Sequence, residues 1–198
     1  MPLALSLIFK GVDVMAQRHE ILSDNIASLQ VIAGDDWLSP PITMLHGGDP
    51  INVSFDDLTH EYRRYAYRLE HCEADWSVST ELFASDFCEG FNEDNIIDDV
   101  TESINTNTLY THYRLQIPNE NCKIKMSGNY KLTVYDENTG EEVMNACFMV
   151  VDPKVNVRLG VTSNTDIDTN KSHQQVSMDL NFSGIKVNRF DDEIKTVV

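Results

Sequence analysis

Basic residues are scarce in this 198-residue chain: 15 Lys and Arg stand against 32 Asp and Glu, a formal charge of -17. Such a surface repels phosphate backbones and anionic lipid faces, which argues against nucleic-acid binding and against docking on an acidic membrane. Helical periodicity is weak throughout. No apolar run is long enough to span a bilayer, so no direct membrane span is expected. The four cysteines, Cys72, Cys88, Cys122 and Cys147, contain no CxxC pair, which removes zinc-ribbon and thioredoxin-type sites. They permit three disulfide pairings, and spacing does not choose among these or isolated buried thiols. G-x-S-x-G, H-E-x-x-H, Walker A and G-x-G-x-x-G motifs are all missing. No catalytic, cofactor-binding or metal residues are therefore assigned, and an enzyme is not expected.

What the chain does contain is a succession of short alternating runs bounded by turn residues. Ile51–Phe55, Tyr65–Leu69, Tyr113–Ile117 and Tyr130–Tyr135 each place apolar residues at every second position, the period of a half-buried strand. Ile26–Ile32 reads as a first strand. Residues 130–151 read as a β-hairpin whose turn is Asp136-Glu-Asn-Thr-Gly140. Ser79 to Phe87 offers at most a short helical turn.

Many short strands with almost no helix specify an all-β protein, a β-sandwich of immunoglobulin or fibronectin-III type. The layout Tyr65-x-Tyr67-x-Leu69, Trp76 and Gly128-Asn-Tyr130-x-Leu132-x-Val134 is similar to fibronectin-III-like domains, which makes Trp76 a core residue between two sheets. Pro153 ends the hairpin. Residues 153–198 hold a further pair of strands, Val155–Leu159 and Val176–Leu180, too few to close a sandwich, and read as the start of a second β-domain. Residues 1–16 combine an apolar Leu3–Phe9 run with Val14-Met-Ala16, in the manner of a degraded or truncated signal peptide. The first sandwich then occupies residues 17–152.

Four clusters invite a chemical reading. His71-Cys-Glu-Ala-Asp-Trp76 gathers a histidine, a cysteine and two carboxyls, but on a strand His71 and Cys72 face opposite ways. A metal there needs further ligands, for which His112 and Asp56 are the candidates. Asp56-Asp57 pairs two carboxyls but reads as a turn after a strand. Asp166-Ile-Asp168-Thr-Asn170 echoes an EF-hand start without its later Gly and Glu. Glu89 to Glu102 is acidic without a single Lys or Arg, and reads as a solvated face more readily than as a docking face for a basic partner.

Seven stretches occur in one order: Pro40–Ile42, Val53–Leu58, Tyr67–Trp76, Ser103–Thr108, Tyr110–Tyr113, Ile117–Glu120 and Ser127–Tyr130. Together they resemble the type IX secretion system plug family of Bacteroidota over roughly residues 22–152, with a thinner match to the C-terminus. The resemblance implies an exported protein at the periplasmic face of the outer membrane. It also implies a large outer-membrane β-barrel translocon as partner, its periplasmic opening sealed sterically by a rigid β-module, and a second domain continuing past Val198. The alternative from a different class is a periplasmic or surface glycan-binding β-sandwich, kept open by Trp37, which lies in a loop-like stretch, and Trp76.

Overall fold

The computed structural model describes residues 19–182, 184–189 and 193–194; the signal-peptide reading of residues 1–16 lies outside them. The chain divides into two compact units, the first ending at Val151 and the second beginning at Asp152.

The first unit contains strands β1 (Glu20–Ile21), β2 (Ile26–Ala33), β3 (Ile42–Met44), β4 (Ile51–Asp57) and β5 (Tyr65–Cys72), then a single helical turn α1 (Ala84–Phe87). It continues with β6 (Cys88–Gly90), β7 (Asn95–Ile96), β8 (Asp99–Glu102), β9 (Thr111–Ile117), β10 (Cys122–Ile124), β11 (Gly128–Asp136) and β12 (Glu142–Val151). One sheet has the order β1-β12-β11-β5-β7, with β3 also pairing β12; the other runs β2-β4-β9-β8. All these pairs are antiparallel except β3 with β12. A separate ribbon joins β6 to β10.

Alternation decides which face is buried. In β4, Ile51, Val53, Phe55 and Asp57 point inward, and β9 answers with Thr111, Tyr113, Leu115 and Ile117 at the paired positions. Tyr65, Tyr67 and Leu69 of β5 and Tyr130, Leu132 and Val134 of β11 supply the opposing layer. Phe55 stacks on Tyr113 at 5.1 Å between centroids, and Tyr65 meets both rings edge-on. Each such aromatic pair contributes about 0.5–1.5 kcal/mol beyond area burial. The protein is thus all-β, with two sheets sharing one core, as a sandwich requires.

Two local expectations are corrected. Trp76 is not core: it is half-buried in a turn with φ +68°, its N–H bonded to the Glu73 carbonyl. The interior is filled instead by buried tyrosines and by Phe148, which stacks on Tyr130 across β11 and β12. Nor is Asp56-Asp57 a turn, since both residues continue β4. Phe55 and Tyr113 pair directly, and the register carries the strand two residues further, to Asp57 opposite Thr111.

The second unit holds β13 (Asn156–Thr162) and β14 (Gln175–Asn181), an antiparallel ribbon. Its register places Val157 opposite Leu180, Leu159 opposite Met178 and Val161 opposite Val176, so one face is apolar. Val157, Leu159 and Val161 are more than half exposed.

Candidate functional site

The His71 cluster is assembled by the chain doubling back after β5. Glu73 donates its N–H to Ser77 and Asp75 caps Ser77, so the turn delivers Ser79 to the end of the strand, its N–H on the His71 carbonyl. His71 Nδ1 then lies 2.8 Å from Ser79 Oγ, which donates to Glu73 Oε1 at 2.7 Å. A Ser-His-Glu composition invites comparison with a hydrolase triad, but the connectivity is wrong. Nucleophilic catalysis needs the imidazole between hydroxyl and carboxyl, taking the hydroxyl proton. Here the serine is in the middle, donates its hydrogen bond to Glu73 and is 7% exposed. The cluster clasps a turn. Nothing local in the sequence points to Ser79, because no pattern marks the residue to which a turn returns.

Cys72 is buried on the face opposite His71, in register with Asn129, and burial pushes its thiol up to about 11. Asp56 and His112 do meet, 2.6 Å apart as a cross-strand pair on the outer face of β4 and β9, but they form their own pair rather than joining His71. Among the described residues no three His, Cys, Asp or Glu side chains converge as a metal site.

Asp56 and Asp57 point to opposite faces and cannot act on one substrate. Asp57 is fully buried and accepts hydrogen bonds from Tyr65 Oη at 2.9 Å and from the Thr59 N–H and hydroxyl, with Arg63 Nε 3.7 Å away. Burial, with this carboxyl beside it, drives the Tyr65 phenol well above its ordinary range. In the second unit, Asp168 turns onto its own loop, bonded by His173 and Ser172, and its carboxyl is held below the usual range mainly by His173. It is not arranged as an ion-binding loop.

The acidic stretch from Glu89 to Glu102 is mostly exposed. Asp94 is anchored by Tyr135 Oη at 2.7 Å, and Lys123 approaches Glu89 at 4.0 Å. On the outer face of β4 and β9 an open cleft of about 440 Å³ is lined by polar groups including Asn52, Ser54, Asp99, Arg114 and Gln116. Large apolar side chains stand out in the loops: Trp37 (71% exposed), Phe83 (77%), Phe91 (72%) and Ile104 (80%). The geometry therefore offers loop-borne contact groups and no aligned nucleophile among the described residues.

The sequence signature described as type 9 secretion system plug protein, first domain, matches residues 26–152. The chain belongs to that family. Its fold is similar to the crystal structure, at 2.30 Å, of a hypothetical protein from Parabacteroides merdae ATCC 43184, with a TM-score of 0.81 and 41% identity. The similarity covers 89% of this chain and 44% of that one, so this plug-family chain spans less than half the length of the solved protein. No curated protein matches the sequence. Among the described residues of this plug-family protein, no helix is long and apolar enough to cross a membrane.

Proposed function

We propose that this chain is the first β-module of an exported, non-enzymatic accessory subunit of an outer-membrane secretion complex. Positioned on the periplasmic face, it seals the opening of a large β-barrel translocon. The observation that carries this reading is the plug-family signature across residues 26–152.

The physical properties of the module fit the task. A steric seal works by not deforming, and two sheets locked by an interdigitated aromatic core are stiff. The -17 charge keeps the module off anionic lipid while it waits beside a membrane. Phe83 and Phe91, on either side of the α1–β6 segment, with Ile104, give a barrel rim apolar anchors of the kind that dominate binding energy.

Residues 153–198 are the start of a second β-domain in this proposal. A two-stranded ribbon does not bury an apolar face alone, and Val157, Leu159, Val161, Val176, Met178 and Leu180 line one face of β13 and β14. Further strands of a longer polypeptide cover it.

The test is affinity isolation of tagged full-length protein from native outer-membrane extracts, followed by mass spectrometry. Recovery of a very large barrel protein supports the seal, and Phe83→Ser with Phe91→Ser then lowers the yield. A protein recovered soluble and alone sinks it. The glycan-binding reading rests on exposed Trp37; quenching of its fluorescence by soluble glycans, absent in Trp37→Ala, would bring that reading forward.

A further inference from the structure

The four thiols divide into two very different pairs. Cys72 lies on β5 and Cys147 on β12, with β11 between them; their register partners there are Asn129 and Lys131. Two strand spacings of about 4.8 Å each separate their backbones by roughly 10 Å, beyond the ~4.4–6.8 Å that a disulfide spans between Cα atoms. Cys88 and Cys122 behave otherwise. Each opens a strand of the β6–β10 ribbon, they are 3% and 0% exposed, and their sulfurs are 3.0 Å apart. That is within ~1 Å of a sulfur–sulfur bond.

The register explains how they meet. Cys88 is opposite Ile124 and Cys122 is opposite Gly90, so the two thiols reach along a diagonal. In a flat pair that diagonal is about 7–8 Å, too long for a bridge. Two-stranded ribbons twist more than wide sheets. Gly90, at φ +103°, also lets the partner strand press in: a Cβ on it would fall 2.1 Å from the Asn121 carbonyl oxygen. Twist and pinch together bring the side chains into line.

We propose that Cys88 and Cys122 form a disulfide when the folding chain meets an oxidant of the disulfide class, whether a thiol-oxidising protein or a small-molecule disulfide. One cysteine thiolate attacks a sulfur of the oxidant and expels the other as a thiolate. The second cysteine thiolate then attacks the mixed disulfide, forms the Sγ–Sγ bond and releases the remaining sulfur. The protein loses two electrons and two protons, and the oxidant gains them as two thiols.

The bridge joins positions 34 apart in sequence. The enclosed loop carries β7, paired in the six-stranded sheet, and β8 and β9 of the four-stranded one. A bond at its base restrains both layers at once, the kind of constraint that raises stability by restricting the unfolded chain.

Reduced, urea-unfolded full chain is refolded with a mixture of oxidised and reduced dithiothreitol. It is then quenched in denaturant with N-ethylmaleimide, digested without reductant and mapped by mass spectrometry. The expected product links the Cys88 and Cys122 peptides, with Cys72 and Cys147 alkylated, and melts roughly 5–15 °C above the reduced form. Four alkylated cysteines, or a bridge through Cys72 or Cys147, overturns the proposal. Cys88→Ser and Cys122→Ser variants should fold without any bridge; another pairing appearing in them counts equally against it. The outcome does not depend on the translocon, so the bridge and the secretion role stand or fall separately.

Discussion

The ring of His71 occupies the space in which a side chain on Gly128 would stand: a Cβ there falls 2.2 Å from His71 Nε2. The imidazole packs edge-on against Tyr130, with centroids 5.2 Å apart, and is tied to Ser79, so it has little room to retreat. Gly128→Ala is expected to destabilise the fold by about 1–3 kcal/mol, partly through overpacking and partly through a φ of +151° that side-chain-bearing residues rarely adopt. Urea unfolding measures this. In a double-mutant cycle with His71→Ala the penalty should shrink, and an unchanged penalty would place the strain elsewhere.

Asp57 holds three hydrogen bonds with no access to water. Asp57→Ala strands the Tyr65 hydroxyl in the core and is expected to cost about 3 kcal/mol, whereas Tyr65→Phe removes one bond and costs about 1–2 kcal/mol. Chemical denaturation of both variants orders them. A loss below about 0.5 kcal/mol for Asp57→Ala would contradict the assignment.

Alkaline pH should unfold the protein. Burial raises the phenols of Tyr65, Tyr67, Tyr113 and Tyr130, with Tyr67 pushed up to about 12. A group raised in the folded state contributes stability in full below its unfolded pKa, about 10 for tyrosine, and loses it as pH climbs toward the folded value. Ultraviolet titration reads phenolate formation, which free tyrosine shows near pH 10. The buried four should follow only as circular dichroism reports loss of structure. A single smooth phenolate transition with the fold intact would refute this.

Cys72 should be chemically quiet. Its thiol is buried and pushed up to about 11, which leaves ~100-fold less thiolate at pH 8 than an ordinary cysteine has. Iodoacetamide labelling at pH 8, mapped by mass spectrometry, should modify Cys72 at least that much more slowly in the native protein than in urea. Equal rates would mean that the end of β5 is open.

Much of the sandwich is legible in the sequence because its strands are half-buried and antiparallel. Alternation in Ile51–Phe55, Tyr65–Leu69 and Tyr113–Ile117 encodes both the strand and its inward face, and the Asp136–Gly140 turn encodes the hairpin. What alternation does not carry is pairing between distant segments. Ser79 reaches His71 only because a turn folds back, and Cys122 reaches Cys88 only through a twisted ribbon outside both main sheets. Trp76 misled for a related reason: ring size predicts burial, but its position in a left-handed turn placed it outside the space between the sheets. The family was readable from ordered short stretches, each weak alone, because the register of many segments is more specific than any one of them.

The outer margin of β12 has consequences beyond its own pairing. Glu20 and Ile21 bond to it antiparallel at Asn145 and Met144, and Ile42 to Met44 run parallel beside Met149 to Val151. Two short segments from early in the chain thus divide the length of one long strand between them. Together they occupy backbone groups that would otherwise recruit a neighbouring copy. A chain crowded against copies of itself gains from this arrangement, because the ten residues of β12 are shielded from polymerisation along that margin.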